Sequence, residues 1–496
     1  MTGLLALPVA APLLAAGLLV LLPSRPLVSR AVAVAATAGV LAIGILLLVA
    51  THDGTVQSQD IGGWPRGVSI VFAADQFSAL MLTVTALLVL VCLSFAFALR
   101  DDRHRLYLPL ALALSAGVYG AYLTADLFNL FVFIEVMLAP SYVLMVLTGG
   151  RRRLGAGRIY LTVSLLASTI YLVGIGLLYG VTGTVNLGDL AGLGRESKAV
   201  ALAGGVLLVA MATKAAMAPL HGWLPRVYPH ASPAVTALFS GLLTKVGVYA
   251  IFRIYAVMYD GDPRYGWLIM TGALLSTVVG ALGAMGERSF RSVLLFSMVS
   301  HVGFMLVGPA LFTTLGLAAA IFYLLQYVLV KAALLICAGA VEATYGTGRL
   351  DRLGGLVSRA PLLAVCFMVP ALSLAGVPPL SGFVAKLSLI RAAVAETQYL
   401  AAALVIVVGL LTLLAMTKIW NSAFWGHDGE ATWGDESDGQ RPVAVRVRTS
   451  LIIPAMVLAG FSVLLGIGAE PLLVAAQTAA DGLVDTTAYV EAVTGR

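Results

Sequence analysis

The chain has six lysines, and five of them sit in apolar surroundings: Lys214 in "MATKAAMAPLHGW", Lys245 in "ALFSGLLTKVGVYAIF", Lys331 in "YLLQYVLVKAALLICAG", Lys386 in "GVPPLSGFVAKLSLI" and Lys418 in "LLAMTKIWNSAFWG". One carboxylate, Glu135, lies in the equally apolar "FNLFVFIEVML". Buried lysine trades its proton readily, whereas arginine stays charged at any accessible pH. Burial favours a neutral amine, and a nearby carboxylate favours the ammonium. A carboxylate that shifts by a few ångströms near Lys214 therefore gates a proton, and a row of lysines with water passes it on. For Glu135 the structural alternative is an ion pair that locks two helices. For Lys214 it is a side chain reaching out to the membrane interface.

The remaining candidates are graded by position. Gly241, Thr244 and Gly247 beside Lys245 suggest room for water, and Gln326 and Tyr327 stand about one turn before Lys331. His301, in "LLFSMVSHVGFML", is the only histidine deep in an apolar run, and imidazole suits a relay as well as it suits a hydrogen-bonded core. Lys418 reads equally as a conducting residue or as one reaching the interface. His221 and His230, around "WLPRVYPHASP", either guide protons in or cap loops. Asp126 is placed to meet the positive N-terminal end of the helix that carries Glu135.

These residues need helices that cross a bilayer. The 496-residue chain is 60% hydrophobic and 11% charged, against about 25% charged in soluble domains. With roughly 20 apolar residues per crossing, fourteen spans are expected, near 4–22, 28–50, 72–99, 106–124, 126–148, 157–181, 200–220, 233–258, 266–286, 289–308, 313–341, 361–390, 400–424 and 450–476. The N-terminus lacks the basic region of a signal peptide and reads as a retained first helix. Of the 24 Lys and Arg residues assigned to loops and helix ends, 18 follow odd-numbered spans and 6 follow even-numbered ones, Arg253 among the latter. That bias predicts a multi-pass cell-membrane protein with both termini outside. Basic residues are not interleaved with aromatics, so the net charge of +6 does not indicate nucleic acid. Cys92, Cys337 and Cys366 form no CxxC or Cys/His cluster, so no metal site, haem or iron–sulfur cofactor is expected. Without a phosphate-binding loop or a hydrolase motif, energy must come from an ion gradient or a partner.

The chain also repeats itself. "PLHGWLPR", from Pro219, and "PLSGFVAK", from Pro379, share Pro-Leu-x-Gly-aromatic followed by a basic residue. The first closes span 7. The second, with Pro378 before it, interrupts span 12. Five spans separate them, which predicts two five-helix bundles, spans 4–8 and 9–13, of opposite orientation. The expected organisation is 1–105 for spans 1–3, 106–258 and 259–425 for the two bundles, and 426–496 for an acidic cytoplasmic loop and span 14.

"DLFNLFVFIEVMLAPSYVLMVL", "KAAMAPLHGWLPRVYPHASPAVTALFSGLLTKVGVYAIFRIY" and "GVPPLSGFVAKLSLIRAA" resemble the proton-conducting membrane subunits shared by respiratory complex I and Mrp-type multisubunit cation/proton antiporters. "LLTKVGVYAIFR" and "KIWNSAFWG" look most like the D-type subunits of the Mrp branch. The resemblance implies an all-α polytopic membrane fold of fourteen helices, with two inverted five-helix repeats and broken helices 7 and 12. It also implies a proton path through Glu135 paired with Lys214, then Lys245, Lys331 and Lys386. Pro140 departs from the family pattern and would bend the helix after Glu135. The expectation is a non-enzymatic subunit exchanging Na+ for protons alongside other hydrophobic subunits. The rival is a proton-pumping subunit of an NADH–quinone oxidoreductase or related hydrogenase complex. A stand-alone solute carrier is third.

Overall fold

The computed structural model describes residues 3–21, 25–425 and 446–496. The acidic stretch expected as a loop, 426–442, lies outside the described residues. An N-terminal group holds α1 (Leu7–Leu21), α2 (Pro26–Ala50) and α3 (Gln76–Leu99). The first bundle holds α4 (Tyr107–Leu123), α5 (Leu127–Val146), α6 (Arg151–Thr182), a short α7 (Leu193–Glu196), α8 (Lys198–Ala215), a short α9 (Trp223–Val227) and α10 (Pro233–Tyr259). The second holds α11 (Pro263–Gly286), α12 (Phe290–Leu311), α13 (Thr314–Tyr345), a short α14 (Leu356–Arg359), α15 (Pro361–Ala375), α16 (Ser381–Ala395) and α17 (Tyr399–Ile419), which runs into a π-helical turn at Trp420–Trp425. The chain closes with α18 (Thr449–Ile467), α19 (Ala469–Val484) and α20 (Thr487–Thr494).

Among the described residues, 11 helices are long and apolar enough to cross a membrane, and three shorter apolar helices, α1, α4 and α15, join them. This is a multi-pass membrane protein. Each of the fourteen expected spans holds a helix, and two successive groups of helices pack in the same order. In the first, α4 lies on α5, α5 on α6, α6 on α8 and α8 on α10. In the second, α11 lies on α12, α12 on α13, α13 on α16 and α16 on α17. Leucine and valine side chains on α6, such as Leu165, Leu166, Leu172 and Val173, are exposed and fit a lipid-facing surface. By contrast, α10 and α13 are enclosed throughout their apolar length.

Both breaks interrupt a span. After α8 the backbone turns left-handed at Ala216 (φ 58°), and after α15 it does so at Gly376 (φ 91°). The peptide bonds before Pro219 and Pro379 are both cis. "PLHGWLPR" does not close its span, because helical structure resumes in α9 and the apolar segment runs Lys198–His230. Helix α5 continues through Pro140.

Three features escaped the hydropathy reading. An antiparallel hairpin, β1 (Gln57–Ile61) and β2 (Ile70–Ala74), precedes α3, with Gln57 opposite Ala74. Span 14 ends at Ile467 instead of near 476, and the chain then folds into α19, which packs on α3, α10 and α13. Arg253, counted as a helix-end charge, lies inside α10 at 3% exposure and is paired with Asp75 at 2.7 Å. Its burial removes it from the topology count. Arg291 is likewise buried, bonded to the Ala231 carbonyl at 2.7 Å and paired with Glu342.

Candidate functional site

The candidate residues gather into two clusters. The first joins three helices. Asp126 caps α5, its carboxylate accepting from Asn129 N at 2.7 Å, and Glu135 follows about two and a half turns later. Lys214 comes from the last turn of α8, just before the Ala216 reversal. The expected Glu135–Lys214 pairing runs through a third group. Ser168 of α6 accepts from Lys214 Nζ at 2.8 Å and donates its own hydroxyl proton to Glu135 Oε1. Lys214 Nζ also donates to the Ser164 carbonyl at 3.1 Å. Lys214 is 8% exposed, while Glu135 is half-buried. The carbonyls freed by the break do not serve the lysine. Trp223 Nε1 takes the Thr213 carbonyl at 3.0 Å, and Lys214 turns instead toward α6. A cavity of about 10 Å³ lined by Tyr160, Ser164, Lys214 and Trp223 adjoins it.

Ser168 was missed because a serine in a long apolar helix ordinarily bonds back to its own backbone. The available signal was Ser164 and Ser168, one turn apart on one face of α6. Ser168→Ala is expected to strand both charged partners, a loss of about 1–3 kcal/mol, or on the order of tenfold to a hundredfold in ion movement. Ser168→Thr, which keeps the hydroxyl, restores most of it. Transport by vesicles carrying each variant checks this.

The second cluster centres on Tyr327. On α13, Tyr323, Tyr327 and Lys331 are spaced by four and share a face. Lys245 Nζ lies 4.5 Å from the Tyr327 ring centroid and Lys331 Nζ 5.8 Å from it. Two ammonium groups against one ring repel, so the ring attracts either cation and their mutual charge resists both. Lys245 Nζ donates to Thr244 Oγ1 at 3.1 Å, and Lys331 Nζ donates to Ser297 Oγ at 2.6 Å. His301 packs on Tyr327 with ring centroids 4.9 Å apart, and its Nδ1 meets Tyr323 Oη at 2.5 Å. His301 Nε2 is buried without a partner. Lys386 reaches back across the second break to the Ala375 carbonyl at 2.9 Å, and its Nζ stands 5.5 Å from the Phe304 ring. Phe304 is in turn 5.6 Å from His301.

The expected room for water beside Lys245 is filled. A Cβ on Gly247 would lie 2.7 Å from Ala215 N, so the glycine admits the α8 backbone, and Leu88 occupies the space at Gly241. That close approach brings the Lys214 end of α8 against the Lys245 helix.

Three candidates lie outside these clusters. Lys418 Nζ donates to the Met285 and Glu287 carbonyls, both at 2.7 Å, where a cation meets the negative end of α11. His221 is half-buried in the turn after the first break, 6.2 Å from Phe296 between ring centroids, and its Nδ1 has no partner. His230 is half-buried, and its carbonyl accepts from Arg153 Nε at 3.0 Å. Among the described residues, no group of three or more His, Cys, Asp or Glu side chains gathers as a metal site would require.

Residues 124–412, which hold all of the candidate site residues except Lys418, match the family described as "NADH:quinone oxidoreductase/Mrp antiporter, TM". The chain belongs to this family. It is 38% identical over 499 residues to the D-type subunit of the Na+/H+ antiporter of Alkalihalophilus pseudofirmus, with 99% of each chain covered. Its fold matches a chain in the structure of the Mrp complex from Dietzia sp. DQ12-45-1b, with TM-score 0.95, 47% identity and 100% of both chains covered. A chain of respiratory complex I from Thermus thermophilus aligns with TM-score 0.79 and 25% identity, covering 97% of this chain and 99% of that one. Membership of the NADH:quinone oxidoreductase/Mrp antiporter family unites the two branches named by the sequence resemblance.

Proposed function

We propose that this chain is a proton-conducting subunit of a multisubunit Na+/H+ antiporter, working beside other hydrophobic subunits and catalysing no covalent chemistry. The observation that carries the reading is the Lys214–Ser168–Glu135 bridge, in which every hydrogen bond points toward the carboxylate. One concerted shift moves a proton along it. Lys214 gives a proton to Ser168 Oγ as the Ser168 hydroxyl gives its own to Glu135, so an ammonium and a carboxylate become an amine and a carboxylic acid. Lys245, Lys331 and Lys386 continue the path, with Tyr327 spacing the first two and His301 beside them. Lys418 acts instead as a cap on α11. His221 and His230 stand on the approach to the first break.

The fuller match to an Mrp-complex chain, at 47% identity against 25% for the complex I chain, favours the antiporter branch. Setting aside the buried Arg253 and Arg291, the arginine bias keeps its direction. It supports termini on the extracytoplasmic side.

The test is the intact complex in proteoliposomes bearing an imposed pH gradient and a proton-sensitive dye. Addition of Na+ is expected to dissipate the gradient. A preparation that responds to no monovalent cation and co-purifies with flavin and iron–sulfur proteins would overturn the reading.

A further inference from the structure

Beyond Lys245, α10 carries two more polar residues at the same spacing of four, Tyr249 and Arg253. They stack along one side of the helix, about 12 Å from end to end. Tyr249 Oη donates to the Tyr122 carbonyl at 2.7 Å and accepts from Arg253 Nη2 at 3.2 Å. Arg253 Nη2 also donates to Asp75 Oδ1 at 2.7 Å. Asp75 caps α3, taking Ser78 N at 2.9 Å. The ring of Tyr489, on α20, covers the guanidinium at 4.6 Å.

The cluster is buried but unsatisfied. Arg253 Nε and Nη1 have no hydrogen-bond partner, and neither has the hydroxyl of Tyr327, whose ring lies 4.5 Å from Lys245 Nζ. Buried donors of this kind are rare and ordinarily find water. A cavity of about 20 Å³ is lined by Asp75 and Tyr489, the two residues that pair with and cover the Arg253 guanidinium. Asp75, Gln76 and Tyr489 bound it within, and Gly54, Asp485 and Ala488 form an exposed lip. One water needs roughly 10–15 Å³.

We propose that this space is the water port through which protons reach or leave the Lys245 end of the buried track, with Asp75 as its inner wall, Arg253 behind that wall and Tyr489 as its cover. The inference rests on the proton-conducting reading. Arg253 keeps its own proton at any accessible pH, so it acts as a fixed charge behind the wall, and Asp75, which faces the cavity, balances it. The proton itself moves on water past the pair, toward Tyr249 and Lys245.

Gln76→Cys places a thiol on the inner wall, and Cys92, Cys337 and Cys366 are all buried, which keeps background reaction low. In the intact complex, a small membrane-impermeant cationic thiol reagent is expected to react with Gln76→Cys and to cut cation-dependent proton movement at least tenfold. Tyr489→Ala in the same background is expected to speed the reaction by a similar factor. No reaction in either background, or reaction with full transport retained, overturns the port. Should Gln76→Cys fail to assemble, Ala479→Cys on another wall of the same cavity gives the same readout. Glu135→Gln separates the two ideas. Normal transport in that variant sinks the conducting reading, whereas lost transport there, together with indifference to modification at Gln76→Cys, sinks the port alone.

Discussion

Glu135→Gln is expected to reduce cation-dependent proton movement by at least a hundredfold while the complex still assembles. The side chain keeps its size and its place on α5, and Ser168 still finds an oxygen to bond. What disappears is the negative charge that answers Lys214. Two unit charges about 4 Å apart at an effective dielectric near 20 interact by roughly 4 kcal/mol, and each 1.4 kcal/mol is a factor of ten. A hundredfold loss takes about 2.8 kcal/mol of this, more than a rearranged hydrogen bond restores. Lys214→Met should give the same phenotype from the other end of the bridge. The double variant should be little worse than either single one, because both remove one unit. The measurement is dye-reported proton flux in vesicles, normalised to assembled complex. Wild-type flux in Glu135→Gln would rule out a charge-based gate.

Arg253→Ala carries the largest expected cost in stability. It leaves Asp75 buried at 6% exposure with no cation beside it, and breaking a buried pair from one side costs about 3–5 kcal/mol. It also removes the face that Phe77, Tyr249 and Tyr489 pack against. Little assembled complex should survive mild heating in detergent. Removing both charges with Arg253→Met and Asp75→Asn should recover a large share of the stability. Asparagine still caps α3, and no uncompensated charge is left behind. Equal melting temperatures for the single and double variants would show that the ion pair matters less than the packing around it.

These two pairs mark what can be read from a sequence. A lysine or glutamate inside an apolar run announces itself, because the bilayer penalises it whatever its neighbours are. That is why Glu135, Lys214, Lys245, Lys331 and Lys386 stood out one by one, and why the spans and the two proline breaks could be placed. The energy involved belongs to a residue and its solvent, so it is local in sequence. The resemblance to the antiporter family was legible for the same reason: it rides on those residues and their spacing to the breaks.

Only the tertiary structure decided what each charge meets. Ser168, 33 residues from Glu135 and 46 from Lys214, is an ordinary serine until three helices bring the groups together. Tyr327 was visible in the sequence only as a neighbour one turn before Lys331, and the fold brings Lys245 over its ring from α10. Arg253 counted as a helix-end charge until Asp75, 178 residues away, was found to neutralise it inside the protein. Lys418 read equally as a conducting residue or as one reaching the interface, and in the fold it meets the carbonyl end of α11. Hydrogen bonds and ion pairs act over about 3 Å and depend on direction, so they belong to the packing of helices against one another. The sequence determined where charge enters the membrane. The fold determined which charges are paired, which are bridged and which stand against an aromatic ring.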